Sequence, residues 1–97
     1  MFDIRFSEDA ERHLKAFPAR DRRIIVEEIE KQLTHQPNVP TRNRKQLRAN
    51  PLAVWELRIQ AFRALYNVEE QEVTVLVVAI AVKDGNKFII EGEEYPL

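Results

Sequence analysis

The sequence WELRIQAFRALY at residues 55–66 predicts two short β-strands joined by a tight turn. In each half, large apolar residues alternate with residues that should point to the opposite face of a sheet. If the turn falls at residues 60–61, the two halves pair so that Arg58 lies directly opposite Arg63. Like charges that face each other across a sheet destabilise it, so this pair requires a neutralising partner.

The residues alone allow two partners that could neutralise Arg58 and Arg63. Glu56 lies on the same face two positions from Arg58, which would make a surface ladder of charged side chains. A bound phosphate is the other partner, and the two arginines would then form a clamp for it. On the opposite face, Trp55 pairs with Tyr66 among apolar residues, and this favours a place in the core for both rings.

Length and composition predict one globular domain that spans residues 1–97, with 44% apolar and 32% charged residues. The chain has no cysteine and two histidines, so disulfides and thiolate metal sites are excluded and a histidine-rich metal site is not expected. We therefore expect no metal and no cofactor. No signal-like or membrane-spanning apolar run is present, which predicts a cytoplasmic protein without a membrane partner.

Charge is distributed unevenly along the chain. Residues 1–50 carry 11 Lys/Arg and 8 Asp/Glu, whereas residues 51–97 carry 4 Lys/Arg and 8 Asp/Glu. The positive charge concentrates at residues 42–48, RNRKQLR, and negative charge concentrates near the C-terminus. The basic segment fits a nucleic-acid backbone, and it equally fits a solvated loop or short helix.

Before the hairpin, the sequence predicts one strand and two helices. Residues 1–6 alternate as in a strand, and Ser7 followed by acidic residues predicts a helix start. Pro18 fits the first turn of a second helix, whose apolar residues recur every four positions at Ile25, Ile29 and Leu33. We expect both histidines, His13 and His35, to lie at the surface.

After the hairpin, residues 73–82 predict a central strand because they are apolar on both faces. Residues 83–87 predict a turn, and residues 88–90 a short final strand or the start of a tail. The fold class is therefore α+β: an N-terminal strand and a two-helix hairpin packed on a mostly antiparallel sheet of four or so strands.

The order of four segments is similar to that in a known toxin family. The segments are KQLR at residues 45–48, WELR at 55–58, FRALY at 62–66, and the valine-rich run 73–82 that ends in Lys83. The chain resembles the RelE/ParE superfamily of toxins from bacterial type II toxin–antitoxin modules, with the RelE-like branch favoured. The resemblance implies a compact RelE-like fold and a cognate antitoxin protein as partner.

The resemblance also implies a set of site residues. Arg63 matches the arginine that RelE-like enzymes place on the scissile phosphate, Arg58 matches a basic position beside it, and Lys83 stands where a cation stabilises the transition state. Glu56 is the candidate general base. The residues expected to hold the RNA backbone are Arg44, Lys45 and Arg48.

Two departures from the RelE-like pattern bear on the activity. This chain has Val54 and Glu56 where RelE-like enzymes carry lysines. It offers Phe88 and Ile89 where they place an aromatic acid or base, and Tyr95 would take that role only if the tail folds back.

The leading hypothesis is a metal-independent, ribosome-dependent mRNA endonuclease that inhibits translation and is neutralised by its antitoxin. Its RNA partner would be mRNA on the ribosome, and it would contact DNA only through a toxin–antitoxin complex. The alternative is a protein that acts by binding alone, either a ParE-like inhibitor of DNA gyrase or a catalytically attenuated antitoxin-binding protein.

Overall fold

The computed structural model describes residues 1–96. The helices are α1 (Glu8–Lys15) and α2 (Ala19–Leu33), and the strands are β1 (Asp3–Phe6), β2 (Arg44–Gln46), β3 (Trp55–Ile59), β4 (Phe62–Glu69), β5 (Thr74–Asp84), β6 (Lys87–Ile90) and β7 (Glu93–Tyr95). The strands form one sheet in the order β2-β3-β4-β5-β6-β7, and β1 pairs in parallel with β5. The α+β prediction is confirmed, but the sheet has more strands than expected. Neither helix within residues 1–96 is long and apolar enough to cross a membrane.

The two additional strands are short edge strands. β2 forms in the basic segment, where a loop or short helix is expected from the sequence, because its backbone pairs with β3. β7 forms in the acidic tail and pairs with β6. Each has only three residues, too few for the alternation of a strand to stand out in the sequence.

The two helices begin where the sequence predicts. The Ser7 hydroxyl accepts a hydrogen bond from the Ala10 N–H at 3.0 Å and so caps α1. Pro18 stands directly before α2 as its N-cap residue, one position earlier than expected. The apolar stripe of α2 is fully buried against the sheet, with Ile25, Ile29 and Leu33 in the main core.

The hairpin of β3 and β4 has the predicted register. Arg58 pairs with Arg63 and Trp55 with Tyr66, and Gln60 carries the turn with φ 54°. The Trp55 and Tyr66 rings are buried and stack with centroids 6.1 Å apart. The Tyr66 hydroxyl donates a 2.7 Å hydrogen bond to the Pro37 carbonyl, and burial raises its pKa. The prediction that these rings belong to the core is confirmed.

A β-bulge in the pairing of β4 with β5 changes which side chains reach each face of the sheet. The register shift leaves Val78 without a partner on β4. As a result, Val77 and Ile80 both pack on the helix side although they are three residues apart. Lys83, three residues beyond Ile80, therefore points to the open face away from the helices. Unbroken alternation from Val77 would have put Lys83 on the helix side.

The prediction that His13 lies at the surface is wrong. Its ring is buried, its Nδ1 accepts a hydrogen bond from the Ile80 N–H at 3.2 Å, and its Nε2 lies 3.3 Å from a Glu91 carboxylate oxygen. β1 and β6 pair with different parts of the same edge of β5 and leave the Ile80 N–H between them. A buried N–H needs an acceptor, and α1 supplies it through His13. The other histidine, His35, is exposed as expected.

Candidate functional site

A concave surface of about 320 Å³ lies on the open face of the sheet, on the side opposite the helices. Among the described residues, the groups that line it are five cations, one carboxylate and one amide: Arg42, Lys45, Arg58, Arg63, Lys83, Glu56 and Asn43. The surface therefore carries a strong excess of positive charge, which favours an anionic ligand.

The sheet register brings these side chains together from four strands. Lys45 on β2 lies opposite Glu56 on β3, and Arg58 on β3 lies opposite Arg63 on β4. Lys83 reaches the same surface from β5 because of the bulge described above. All four residues expected to be catalytic, together with Lys45, thus line one cavity.

Glu56 is the neutralising partner within the fold. One carboxylate oxygen lies 3.3 Å from Nε of Arg63, and the other lies 3.7 Å from Nζ of Lys45. The side chains of Glu56 and Arg63 are only 5% and 12% exposed, so water screens their attraction weakly. Glu56 makes no ion pair with Arg58, so the predicted surface ladder between the two arginines does not form, and this one carboxylate leaves most of the positive charge of the described lining residues unbalanced.

Arg63 is held in the cavity by several contacts. Besides its contact with Glu56, its Nη1 donates to the carbonyls of Gln60 and Phe62 at 2.8 and 2.7 Å. Burial lowers the pKa of Arg63, and the charge of Arg58 lowers it further, whereas Glu56 raises it. A guanidinium fixed in this way is ready for an anion without further ordering.

Arg58 and Lys83 are two cations of the cavity that remain available to a ligand. Within residues 1–96, the structure gives neither side chain a hydrogen bond or an ion pair. Arg58 is exposed, and Nζ of Lys83 lies 4.6 Å from the centroid of the Phe88 ring. No group of three or more metal-ligating side chains occurs in the same part of the chain. The cavity is thus equipped to hold a phosphate between fixed and free cations.

Arg44 lies away from this cavity, in contrast to the prediction that it binds RNA. It is 8% exposed, and its Nη1 donates to the carbonyls of Gln32 and His35 at 2.6 and 3.3 Å. Successive residues of a strand point to opposite faces, so Arg44 faces the helices while Lys45 faces the cavity. Arg44 therefore caps the C-terminal end of α2, where carbonyls lack partners.

Arg48 lies in a second cavity, which Lys45 also lines. Two lining residues of the first cavity, Arg42 and Asn43, were not among the predicted site residues. The positive charge of the basic segment could have pointed to Arg42. No sequence signal pointed to Asn43, whose carbonyl accepts the Arg58 N–H at 2.8 Å and joins the loop to β3.

Tyr95 does not reach the candidate site. The tail folds back as β7 and pairs Tyr95 with Phe88, but β7 lies three strands from β4, so its backbone is about 14 Å from that of Arg63. The Tyr95 hydroxyl donates to Glu93 at 3.3 Å, and the Glu93 charge raises its pKa. Tyr95 is not among the residues that line the cavity, and its hydroxyl is engaged by Glu93 instead.

Comparisons with known proteins match both the sequence and the fold. The family model "ParE toxin of type II toxin-antitoxin system, parDE" matches residues 4–83. The toxin–antitoxin complex RelBE2 from Mycobacterium tuberculosis contains a chain 26% identical with TM-score 0.73, covering 84% of this chain and 91% of that one. The isolated E. coli RelE toxin is 16% identical with TM-score 0.69, covering 87% and 86% of the two chains. The archaeal RelE–RelB complex from Pyrococcus horikoshii is 15% identical with TM-score 0.68, covering 87% and 97%.

No curated protein sequence gives a significant match. The family model nevertheless spans most of the chain and includes every residue that lines the cavity, from Arg42 to Lys83. The structural matches show the same fold over more than four fifths of the chain. The chain therefore belongs to the RelE/ParE superfamily and is a toxin of a type II toxin–antitoxin system.

Proposed function

We propose that this toxin is a metal-independent endonuclease that cleaves mRNA on the ribosome and thereby inhibits translation. The observation that carries the proposal is the convergence of Arg58, Arg63 and Lys83 on one open cavity with a single carboxylate. A sheet face that carries opposed arginines without a full set of counter-ions is suited to an anionic ligand.

The reaction that fits this cavity is transfer of the RNA phosphodiester to its own ribose. The 2′-oxygen forms a bond to phosphorus, and the bond from phosphorus to the 5′-oxygen of the next nucleotide breaks. The products are a 2′,3′-cyclic phosphate and a 5′-hydroxyl. Negative charge builds up on the phosphoryl oxygens in the transition state, and preorganised cations lower that barrier.

Each residue has a proposed role in this reaction. Arg63, fixed by Glu56 and the turn carbonyls, holds a phosphoryl oxygen. Arg58 and Lys83 approach the same phosphate and stabilise the developing charge. Glu56, the one carboxylate among the described lining residues, accepts the proton of the 2′-hydroxyl, and the departing 5′-oxygen takes a proton from solvent.

The proposal extends to partners. Lys45, where the two basic cavities meet, and Arg48, in the second cavity, hold the RNA backbone. A cognate antitoxin neutralises the toxin, as the toxin–antitoxin complexes among the structural relatives suggest. The site of action is the cytoplasm, where translating ribosomes are, and contact with DNA occurs only through a toxin–antitoxin complex.

The test is a cell-free bacterial translation reaction in which mRNA ends are mapped by primer extension. Arg58→Gln is the diagnostic variant because Arg58 is exposed and its loss should leave the fold intact. Arg20→Gln on α2 is the matched control, since it removes another exposed arginine from the helix side of the molecule. We expect the parent and the control to produce new mRNA ends within translated codons, and we expect Arg58→Gln to produce far fewer of these ends. Intact mRNA with the parent protein would refute the proposal.

A second candidate is inhibition of DNA gyrase by binding alone. Two observations favour it: the matching family model is that of ParE toxins, and Val54 and Glu56 replace the lysines expected of RelE-like enzymes. Inhibition of gyrase-catalysed supercoiling by the purified protein, together with intact mRNA, would support this candidate. A stable complex with the product of a neighbouring small gene, without any effect on growth, would instead indicate an attenuated antitoxin-binding protein.

A further inference from the structure

A second cavity of about 600 Å³ adjoins the candidate site. One wall comes from β2 and the loop that follows it, and the other from the turn between β5 and β6 together with Pro96. Its described lining residues are Lys45, Gln46, Leu47, Arg48, Ala49, Asn86, Lys87 and Pro96. We call it the basic groove.

The basic groove continues the positive surface of the candidate site. Lys45 lines both cavities, so the two meet at this side chain. The groove adds Arg48 and Lys87, and none of its described lining residues is acidic. A phosphate backbone that leaves the candidate site past Lys45 would therefore meet two further cations, Arg48 and Lys87, and no carboxylate among the described lining residues.

We propose that the basic groove binds the phosphate backbone of the nucleotides that flank the reacting phosphate in single-stranded RNA. This inference rests on the proposed function. None of the described residues that line the groove is aromatic, so it offers no aromatic ring on which a base could stack. Contacts to phosphate position a nucleic acid without reading its sequence. The groove therefore contributes affinity and register, and the contribution is independent of the bases.

One cation of the groove, Lys87, is also engaged by a carboxylate that lies outside the groove lining. Nζ of Lys87 lies 3.0 Å from a carboxylate oxygen of Glu94 on β7. The two side chains are 50% and 59% exposed, and exposed ion pairs contribute little to stability. A phosphate can therefore replace Glu94 at small cost. While the pair is intact, however, Glu94 reduces the charge that Lys87 presents to RNA.

This pair permits a test in which two substitutions break one contact and have opposite effects. The probe is a fluorescein-labelled single-stranded RNA of ten nucleotides, with 2′-O-methyl groups that block cleavage. We expect Lys87→Gln to weaken binding about five-fold and to reduce the slope of log Kd against log salt by about 0.7. We expect Glu94→Gln to tighten binding about two- to three-fold. Lys31→Gln, an exposed lysine on α2, is the matched control and should change neither quantity.

Both effects should be the same for oligouridine and oligoadenosine, because the groove does not read bases. A trinucleotide that fills only the candidate site should bind the Lys87→Gln variant as it binds the parent. If Lys87→Gln and Glu94→Gln changed RNA binding equally, the loss of the ion pair would be altering binding through the stability of the fold, and this result would overturn the inference.

The failure of this inference is distinguishable from failure of the proposed function. If Arg58→Gln abolishes RNA binding while Lys87→Gln leaves it unchanged, the groove is not part of the RNA path and the candidate site stands. If the parent binds none of the RNA probes, the groove inference is wrong, whereas the proposed function is judged separately by cleavage in the translation reaction. Capture of a labelled oligoglutamate peptide in preference to RNA would assign the groove to an acidic polypeptide instead.

Discussion

Glu56→Gln is the substitution that best separates the structural role of the candidate site from its role in ligand binding. The carboxylate is 5% exposed and lies between Arg63 and Lys45, at 3.3 and 3.7 Å from their nitrogens. Glutamine has the same shape and keeps one oxygen able to accept a hydrogen bond from Arg63. The change therefore removes the charge with little effect on packing.

The expected loss of stability follows from the geometry. At an effective dielectric constant of about 20, unit charges 3.3 Å apart attract by about 5 kcal/mol. Much of this attraction is offset by the cost of taking both charges out of water, and the retained hydrogen bond recovers part of the remainder. We expect the free energy of unfolding to fall by about 2 kcal/mol, which lowers Tm by about 10 °C in a domain of this size.

The same substitution should improve anion binding. Without the carboxylate, a phosphate in the cavity is relieved of about 1 kcal/mol of repulsion, which corresponds to about five-fold tighter binding. Thermal unfolding followed by circular dichroism, with and without inorganic phosphate, measures both effects. Phosphate should raise the Tm of the variant more than that of the parent, because a ligand stabilises the folded state according to its affinity.

Two results would refute this reasoning. An unchanged Tm in the absence of phosphate would mean that Glu56 does not neutralise Arg63. An equal response of parent and variant to phosphate would mean that the cavity is not the phosphate site. If the variant binds RNA more tightly but has lost cleavage, and the pH dependence of the residual rate has changed, Glu56 acts as the general base in addition to its structural role.

Three further substitutions test other parts of the fold. Tyr66→Phe leaves the Pro37 carbonyl without its buried donor, so we expect a loss of about 1 kcal/mol in denaturant unfolding with an unchanged m value. Arg44→Met removes the cap from the end of α2, and we expect a loss of about 2 kcal/mol in the same assay and no change in the salt slope of RNA binding. The hydrogen bond from Arg12 lowers the pKa of Glu91 to about 2, so its contribution to stability is present above the unfolded-state pKa and is lost as pH falls toward 2. Glu91→Gln should therefore flatten the stability profile between about pH 4.5 and pH 2, and an unchanged acid profile would contradict the assignment.

Local alternation and turn chemistry were sufficient to predict the hairpin of β3 and β4. Its register, the core position of Trp55 and Tyr66, and the opposition of Arg58 and Arg63 all follow from a period of two around a tight turn. The start of α1 could also be predicted from the sequence, because a capping residue such as Ser7 is a local signal. These features depend only on neighbours in sequence.

The face on which Lys83 lies could not be predicted from alternation. The bulge at Val78 is a property of the pairing between β4 and β5, and no residue in the valine-rich run marks it. The resemblance to a toxin family placed Lys83 in the site, and the bulge explains how it arrives there. His13 was missed for a similar reason: its partner, the Ile80 N–H, is orphaned only by the way β1 and β6 share an edge.

The basic segment illustrates a limit of reasoning from charge. Four cations in seven residues favour an exposed surface, but a strand at this place puts neighbouring residues on opposite faces. Lys45 consequently faces the cavity, whereas Arg44 is buried at the end of α2. The charge count could not separate them because β2 is only three residues long.

The most direct test of the central claim is cleavage of an mRNA that carries a single 2′-deoxynucleotide at a mapped cleavage position, in the cell-free translation reaction. The proposed reaction requires the 2′-hydroxyl, so cleavage should disappear at that position and continue at the others. The fragments should carry a 5′-hydroxyl that accepts a labelled phosphate. Cleavage that persists at the deoxynucleotide, or the absence of any cleavage by the parent protein, would contradict the account.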